Sequence, residues 1–359
     1  MKRLLSLVLT ATMLATALVG CNSSSTTSSA ASSAAGSAAQ SASAASTTAA
    51  ASGNLVIYCP HPLTFINPLV DEFQKQSGIK VNVVTAGTGE LLKRVESETN
   101  NPLGDIFWGG SLATMKSQAN LFENYQSKNE ANIQPEFKNT EGPLTRFTDI
   151  PSVLMVNTNL VGDTKIEGYA DLLNPALKGK IAMCDPSKSS SSFEHVVNML
   201  YAMGNGDPEK GWDYVEKFCK NLDGKLLSGS SAVYKGVADG EYTVGLTFEE
   251  GGATYVADGA PVKLVYMKEG VISRPDGIYI IKGAKNMDNA KAFIDFITGK
   301  DAQSIITSKL HRRSVRNDVE PPKGLIEKDK INLLDQYITV CSIYGFYSYS
   351  RCLNAKGSC

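Results

Sequence analysis

Hydrophobic and polar positions divide the chain into stretches that follow different rules. A mostly apolar run from Leu4 to Val19 opens it, and from Ser23 to Ser52 every residue is Ser, Thr or Ala except Gly36 and Gln40, with no periodicity. From Asn54 the pattern is that of a folded body. The run over 55–58 predicts a short buried strand. The stretch 68–76 predicts a helix with Leu69, Val70 and Phe73 on one face, ended by Gly78 in the C′ position. Ile79, Val81 and Val83 alternate as in a strand, and Thr88 stands where a cap is expected ahead of Leu91, Leu92 and Val95. A third strand is predicted over 105–108, with Gly109, Gly110 and Ser111 turning into the next helix. Strand and helix in alternation imply an α/β body.

An extended run between 149 and 160 predicts a crossing from one half of the body to another. The rhythm then restarts, with a strand over 180–184, helices over 193–203 and 208–221, a strand over 242–248 and a helix over 249–257. Strands over 262–266 and 277–281 follow, the second placed as the return crossing.

Composition changes the picture at the front of the chain. At 359 residues, with 35 Lys plus Arg against 36 Asp plus Glu, the chain is long enough for two domains and too balanced for a nucleic-acid binder. Yet no charged residue lies between Arg3 and Asp71. A basic start (Lys2, Arg3) and an apolar run shorter than the ~20 residues of a membrane span describe a secretion signal over 1–20. Leu18-Val19-Gly20-Cys21 resembles the bacterial lipobox, which implies cleavage before Cys21 and a diacylglycerol on its thiol. Acyl chains bury ~0.8 kcal/mol per CH₂, enough to hold a protein on a membrane. The Ser/Ala/Thr segment within 21–53 cannot bury enough apolar area to offset chain entropy, so it is expected to be a disordered tether. At ~5 to 6 Å times the root of its length, it reaches on the order of 30 Å.

The candidate chemistry is sparse. No CxxC spacing pairs Cys59, Cys184 and Cys219, which read as buried thiols, and Cys341, Cys352 and Cys359 fall in an atypical tail. Three His (His61, His195, His311) are present without HExxH, GxSxG or a Walker loop, so the expectation is capture without turnover, without cofactor and without a metal centre. What the body offers is small, hydroxyl-rich turns where strands hand over to helices, the place where open α/β sheets bind ligands. Backbone N–H groups at helix starts carry partial positive charge, and hydroxyls add donors, so several such starts make an anion site. The candidates are His61, Thr88, Gly89, Gly110 and Ser111, then Ser189, Ser190, Ser191 and Ser192, and Ser230. A hydroxyl before a helix also serves as a plain N-cap. His195, one turn beyond the serine run, is a candidate to face the cleft. Trp108, at a strand end, either stacks on a sugar or fills the core.

Leu55-Val-Ile-Tyr-Cys-Pro-His-Pro, the helix ending ahead of Gly78, Gly87-Thr-Gly-Glu-Leu-Leu, and Ala290-Lys-Ala-Phe-Ile-Asp-Phe-Ile resemble the solute-binding proteins of bacterial ABC importers. The nearest branch is the ferric-binding-like group, which includes binders of hexose phosphates. The resemblance covers about 54–334. It implies a two-lobe type II periplasmic-binding-protein fold with a two-strand hinge, closing on its ligand. One lobe is expected over 54–153 with about 277–340, the other over 154–276, and the tail over 341–359 departs from the family. Ferric-binding members use adjacent tyrosines after the strand where this chain has Phe248-Glu249-Glu250-Gly251, with Glu250-Gly251 in the place of the pair, while their anion donors correspond to the serines before Phe193 and to Ser230. The resemblance therefore implies an anionic solute, most simply a phosphorylated sugar, with Glu249 or Glu250 accepting from its hydroxyls and Arg274 adding a charge-assisted bond. Ferric iron with a synergistic anion is the alternative, and a lipid-anchored hydrolase a further one. The implied partners are the permease and ATPase of an importer, with a monomer tied to the membrane on the extracytoplasmic side.

Overall fold

The computed structural model describes residues 53–334, apart from 141 and 225; the apolar opening, Cys21 with its tether, and the tail cysteines lie outside the described residues. Chain order begins with β1 (Asn54–Cys59), α1 (Leu63–Ser77), β2 (Lys80–Thr85), α2 (Thr88–Ser97), β3 (Ile106–Ser111), α3 (Leu112–Lys116), β4 (Phe122–Glu123) and β5 (Thr145–Asn157). It continues through β6 (Ile181–Ala182), α4 (Ser190–Met203), α5 (Trp212–Leu222), α6 (Ser230–Ala238), β7 (Val244–Phe248) and α7 (Glu249–Ala257). β8 (Val262–Val265), β9 (Ser273–Ile281), α8 (Met287–Ile297), α9 (Lys300–Lys309) and β10 (Arg313–Ser314) complete it.

The helix expected to begin at Pro68 begins at Leu63 and runs through the proline. An interior proline forfeits a helical hydrogen bond and costs ~3 kcal/mol. Phe65, Ile66 and Leu69 are all buried on the same face, and that burial carries the helix across. Its end matches the pattern: Gly78 takes a left-handed φ of 73° and its N–H donates to the Gln74 carbonyl.

The strands form one mixed sheet in the order β2-β1-β3-β9-β5-β7-β6. β1 lies parallel to β2 and β3, whereas β9 runs antiparallel to β3 and to β5. The far end of β5 pairs antiparallel with β7 and β8. β5 and β9 thus pass between two hydrophobic cores. One gathers Leu55, Ile57, Phe65, Trp108, Phe293 and Ile306, and the other Leu154, Leu172, Met199, Phe218, Val244 and Leu246. The fold is therefore a two-lobe α/β architecture, with the carboxyl ends of β1, β2, β3 and β7 opening toward the space between the lobes. Cys59 and Cys184 are buried thiols; burial pushes Cys184 up to about 11 and Cys59 higher still.

Candidate functional site

Between the lobes lies a cavity of about 320 Å³. The N-cap residues of α1 (Pro62), α2 (Gly87), α4 (Ser189), α6 (Gly229) and α7 (Phe248) all line it. None of these caps is made by a side chain. An uncapped start leaves N–H donors for a ligand, and the aligned peptides add about half a positive charge to each. Thr88 was expected to cap α2; it is the first helical residue instead, with Gly87 in the cap position. Ser189 Oγ faces Ser191 Oγ at 2.9 Å rather than a backbone N–H.

Of the residues singled out in the sequence, His61, Thr88, Gly110, Ser111, Ser189, Ser190, Ser191, Ser230 and Arg274 line this cavity. Gly110 holds φ at 83°, a left-handed conformation that suits glycine, and its carbonyl accepts from Tyr279 Oη. Gly89 stands behind the wall, packed against the Ser187 carbonyl of the opposite lobe.

The remaining candidates are placed elsewhere. Trp108 is fully buried among Phe65, Phe147 and Phe293, so the core-filling alternative holds and the stacking one does not. Ser192 is buried beside the Cys184 thiol. His195 is fully buried as well: its Nε2 donates to the Thr247 carbonyl at 2.7 Å and its Nδ1 accepts from Tyr169 Oη at 2.8 Å. Burial lowers its pKa to about 4, against the opposing pull of the carbonyl bond, so the ring is neutral. Glu249 and Glu250 were expected to meet ligand hydroxyls. Glu249 instead takes both Nε and Nη2 of Arg313, at 2.8 and 2.7 Å, and the hydroxyl of Tyr266. Glu250 takes Nη2 of Arg312 at 2.8 Å. A buried carboxylate beside a guanidinium is drawn to it, and the helix that carries the pair turns both side chains toward Arg312 and Arg313, just after α9, rather than into the cavity.

The cavity wall also holds Arg312, Asp276 and Glu194, which the sequence reading did not select. Arg312 is 1% exposed, bonds Asp276 Oδ2 at 3.1 Å besides Glu250, and lies 4.2 Å over the Phe65 ring. His61 Nε2 lies 3.0 Å from the same Asp276 oxygen without the alignment of a hydrogen bond. Burial alone would raise Asp276, but His61 and Arg312 hold its carboxyl below the ordinary carboxylate range. Glu194 accepts from Ser111 Oγ and lies beside Arg274. The available signals were weak: Glu194 lies two residues past the serine run, and Arg312 belongs to His311-Arg312-Arg313 just after the last long helix. Among the described residues no group of three or more His, Cys, Asp or Glu could hold a metal ion.

Residues 54–309 match the family model for bacterial extracellular solute-binding proteins. The periplasmic binding protein AfuA from Actinobacillus pleuropneumoniae, solved with exogenous fructose-6-phosphate bound, superposes with a TM-score of 0.75 at 28% identity, over 84% of this chain and 97% of that one. An Fe(3+)-binding periplasmic protein of Serratia marcescens is 25% identical over 266 residues, 71% of this chain and 77% of the relative. An uncharacterised protein of Haemophilus influenzae is 29% identical over 267 residues, 71% and 75% of the two chains.

Proposed function

Because the chain belongs to the bacterial extracellular solute-binding proteins, we propose that its cleft captures an anionic solute, a phosphorylated sugar or related organophosphate, and delivers it to an ABC importer. The observation that carries this reading is the convergence of uncapped helix starts from both lobes on one cavity. A phosphate bridging α2 on one side and α4 and α6 on the other satisfies donors of both lobes at once, so its binding favours closure. The site captures and releases; it does not turn the ligand over. The similarity to a fructose-6-phosphate-bound protein supports the phosphorylated-sugar form of the reading.

Ferric iron is the second reading, supported by the relative from Serratia marcescens. It is disfavoured because Glu250 and Gly251 stand where ferric-binding members are expected to have their tyrosine pair, and the nearby carboxylates Glu249 and Glu250 are each held by an arginine. A metal would have to take these carboxylates from their cations.

The deciding experiment is calorimetry of the chain without its first 52 residues, with fructose 6-phosphate, glucose 6-phosphate, inorganic phosphate and ferric citrate as separate titrants. The reading expects saturable heat with a sugar phosphate and none with ferric citrate; the reverse overturns it. Lipid anchoring through Cys21 belongs to the same proposal, and Cys21→Ala in the full chain is expected to move the protein from the membrane fraction into the soluble one.

A further inference from the structure

After α9 and β10 the chain leaves the first lobe. Arg316 and Asn317 are still fixed to it, Arg316 Nη1 donating to the Thr298 carbonyl and the Asn317 N–H to that of Asn132. Ile331, by contrast, is buried in the core that holds Leu154, Met199 and Phe218. The Val271 N–H donates to the Asn332 carbonyl at 2.8 Å, and the Leu334 N–H to that of Val271 at 3.0 Å. Leu334 packs against a cluster that includes Phe193 and Val197 of α4, the helix whose first serines line the cavity. Among the described residues this segment is thus a third passage between the lobes, besides β5 and β9.

Its position decides what it can do. Ile150 and Ser152 of β5 and Arg274 and Asp276 of β9 line the cavity, so the alternate residues Asp149 and Ser273 face the other side of the crossing strands. There Ser273 Oγ donates to Asp149 Oδ1, and Lys328 Nζ stands 2.8 Å from Asp149 Oδ2 and 4.6 Å over the Phe137 ring. Arg313 Nη2 donates to the Ile326 carbonyl just ahead. Lys328 is therefore held at the lobe 1 end of the crossing and Ile331 in the second lobe, with one 3₁₀ turn, Lys328–Lys330, leading from one to the other. A rotation that parts the lobes at the cavity brings them together behind the crossing strands. A 3₁₀ turn rises only about 2 Å per residue and has little length left to give up. Opening must then break the contacts of Lys328 or lift Ile331 from its core.

We propose that residues 328–334 form a strut behind the hinge, which resists opening of the cleft and so sets how much of the unliganded protein is closed. The proposal needs no choice of ligand. Its contacts coexist with the bond from Ser111 Oγ to Glu194 across the cleft, so the strut is fitted to the closed arrangement. Apparent affinity scales with the binding-competent fraction, and loosening the strut weakens binding without a change in the cavity.

The test compares two insertions of about six Gly and Ser residues, a flexible span, in the full chain: one between Asp329 and Lys330, inside the strut, and one between Lys323 and Gly324, in the exposed stretch ahead of it. Small-angle X-ray scattering without ligand and calorimetry with fructose 6-phosphate read the outcome. The first insertion is expected to raise the radius of gyration and to weaken the sugar phosphate about threefold to tenfold, and the second to match the wild type in both. Asp149→Asn combined with Lys328→Met removes the ion pair without stranding a buried charge. It is expected to shift both readings in the same direction as the first insertion, and it decides the matter if that insertion unfolds the protein. Wild-type scattering from both insertions and from the double variant would overturn the proposal, because the segment would then only cover the second core. Equal opening by the two insertions would overturn it as well, since the span from Lys328 to Ile331 would not be what braces the hinge. If the wild type takes no sugar phosphate, the choice of ligand fails, and the scattering comparison decides the strut by itself.

Discussion

The two walls of the cleft present donors in different proportions of backbone and side chain. The wall of the first lobe, around β1, β2 and β3, combines Pro60, Pro62, Gly87 and Gly110, residues that leave the backbone bare, with Thr88 and Ser111, whereas the wall of the second lobe, around α4 and α6, is richer in hydroxyls, Ser189, Ser190, Ser191 and Ser230 among them. The reason is visible where the walls meet. A Cβ on Gly89 would lie 2.4 Å from the Ser187 carbonyl oxygen, and one on Gly87 2.8 Å from that of Lys188. Lobe 1 is kept small so that lobe 2 can approach; lobe 2 carries the side chains that reach inward. Damage to the first wall should act through distance, and damage to the second through lost hydrogen bonds.

The largest effect is expected where one residue serves both walls. Arg312 bonds Asp276 on a crossing strand and Glu250 on the lobe 2 helix. Arg312→Ala leaves two buried carboxylates without their cation, and urea unfolding should show a loss of about 3 to 5 kcal/mol. Glu250→Gln, which keeps one of the two ion pairs, should lose clearly less. Next in size is Gly89→Ala. Its methyl group meets backbone oxygen rather than a movable side chain, so closure is strained by about 1 to 3 kcal/mol. Ligand affinity should fall several-fold or more, with the melting temperature of the unliganded protein almost unchanged. Ser191→Ala tests the other wall: removing one hydroxyl from a charged ligand should weaken binding about tenfold. If Ser191 is only part of a helix start, calorimetry will instead show unchanged affinity.

The smallest step per unit of condition change concerns the two histidines, one associated with each wall. His61 lines the cavity, whereas His195, on the helix that the serines begin, is buried away from it with both ring nitrogens occupied. The folded protein holds His195 near pKa 4, below the ~6.5 of an unfolded chain, so between these values the unfolded state binds more protons. This contribution to stability is complete above pH ~6.5 and is lost as pH falls toward 4, by at most about 1.4 kcal/mol per pH unit. Chemical denaturation across that range should show the slope in the wild type and a shallower one in His195→Gln.

The contrast between the walls also explains what could be read in advance. The serine run before Phe193 and the Gly87-Thr88-Gly89 turn stand out because helix starts have local rules of composition. Those rules placed the turns at one end of an α/β sheet, where the cavity is found. They could not separate Ser191 from Ser192: adjacent residues on a helix differ by about 100° in direction, and only packing against Cys184 turns the second away. Trp108 and His195 misled for a related reason. Both residue types occur in sites and in cores, and a strand end or a first helical turn is compatible with either.

The sequence by itself determined the elements and their alternation, the stop at Gly78, the crossing strand after 149 and the positions of the hydroxyl-rich turns, because each depends on periodicity or turn chemistry within a few residues, whereas that the helix starts there are left uncapped was decided by the structure. Only the tertiary structure decided the charges of the cleft. Glu194 meets Ser111 and Arg274, and Arg312 meets Asp276 and Glu250, across 83, 80, 36 and 62 residues of chain. A buried charge is tolerated only where an opposite charge or a donor reaches it. That partner is chosen by how the lobes pack, which no local pattern of residues records.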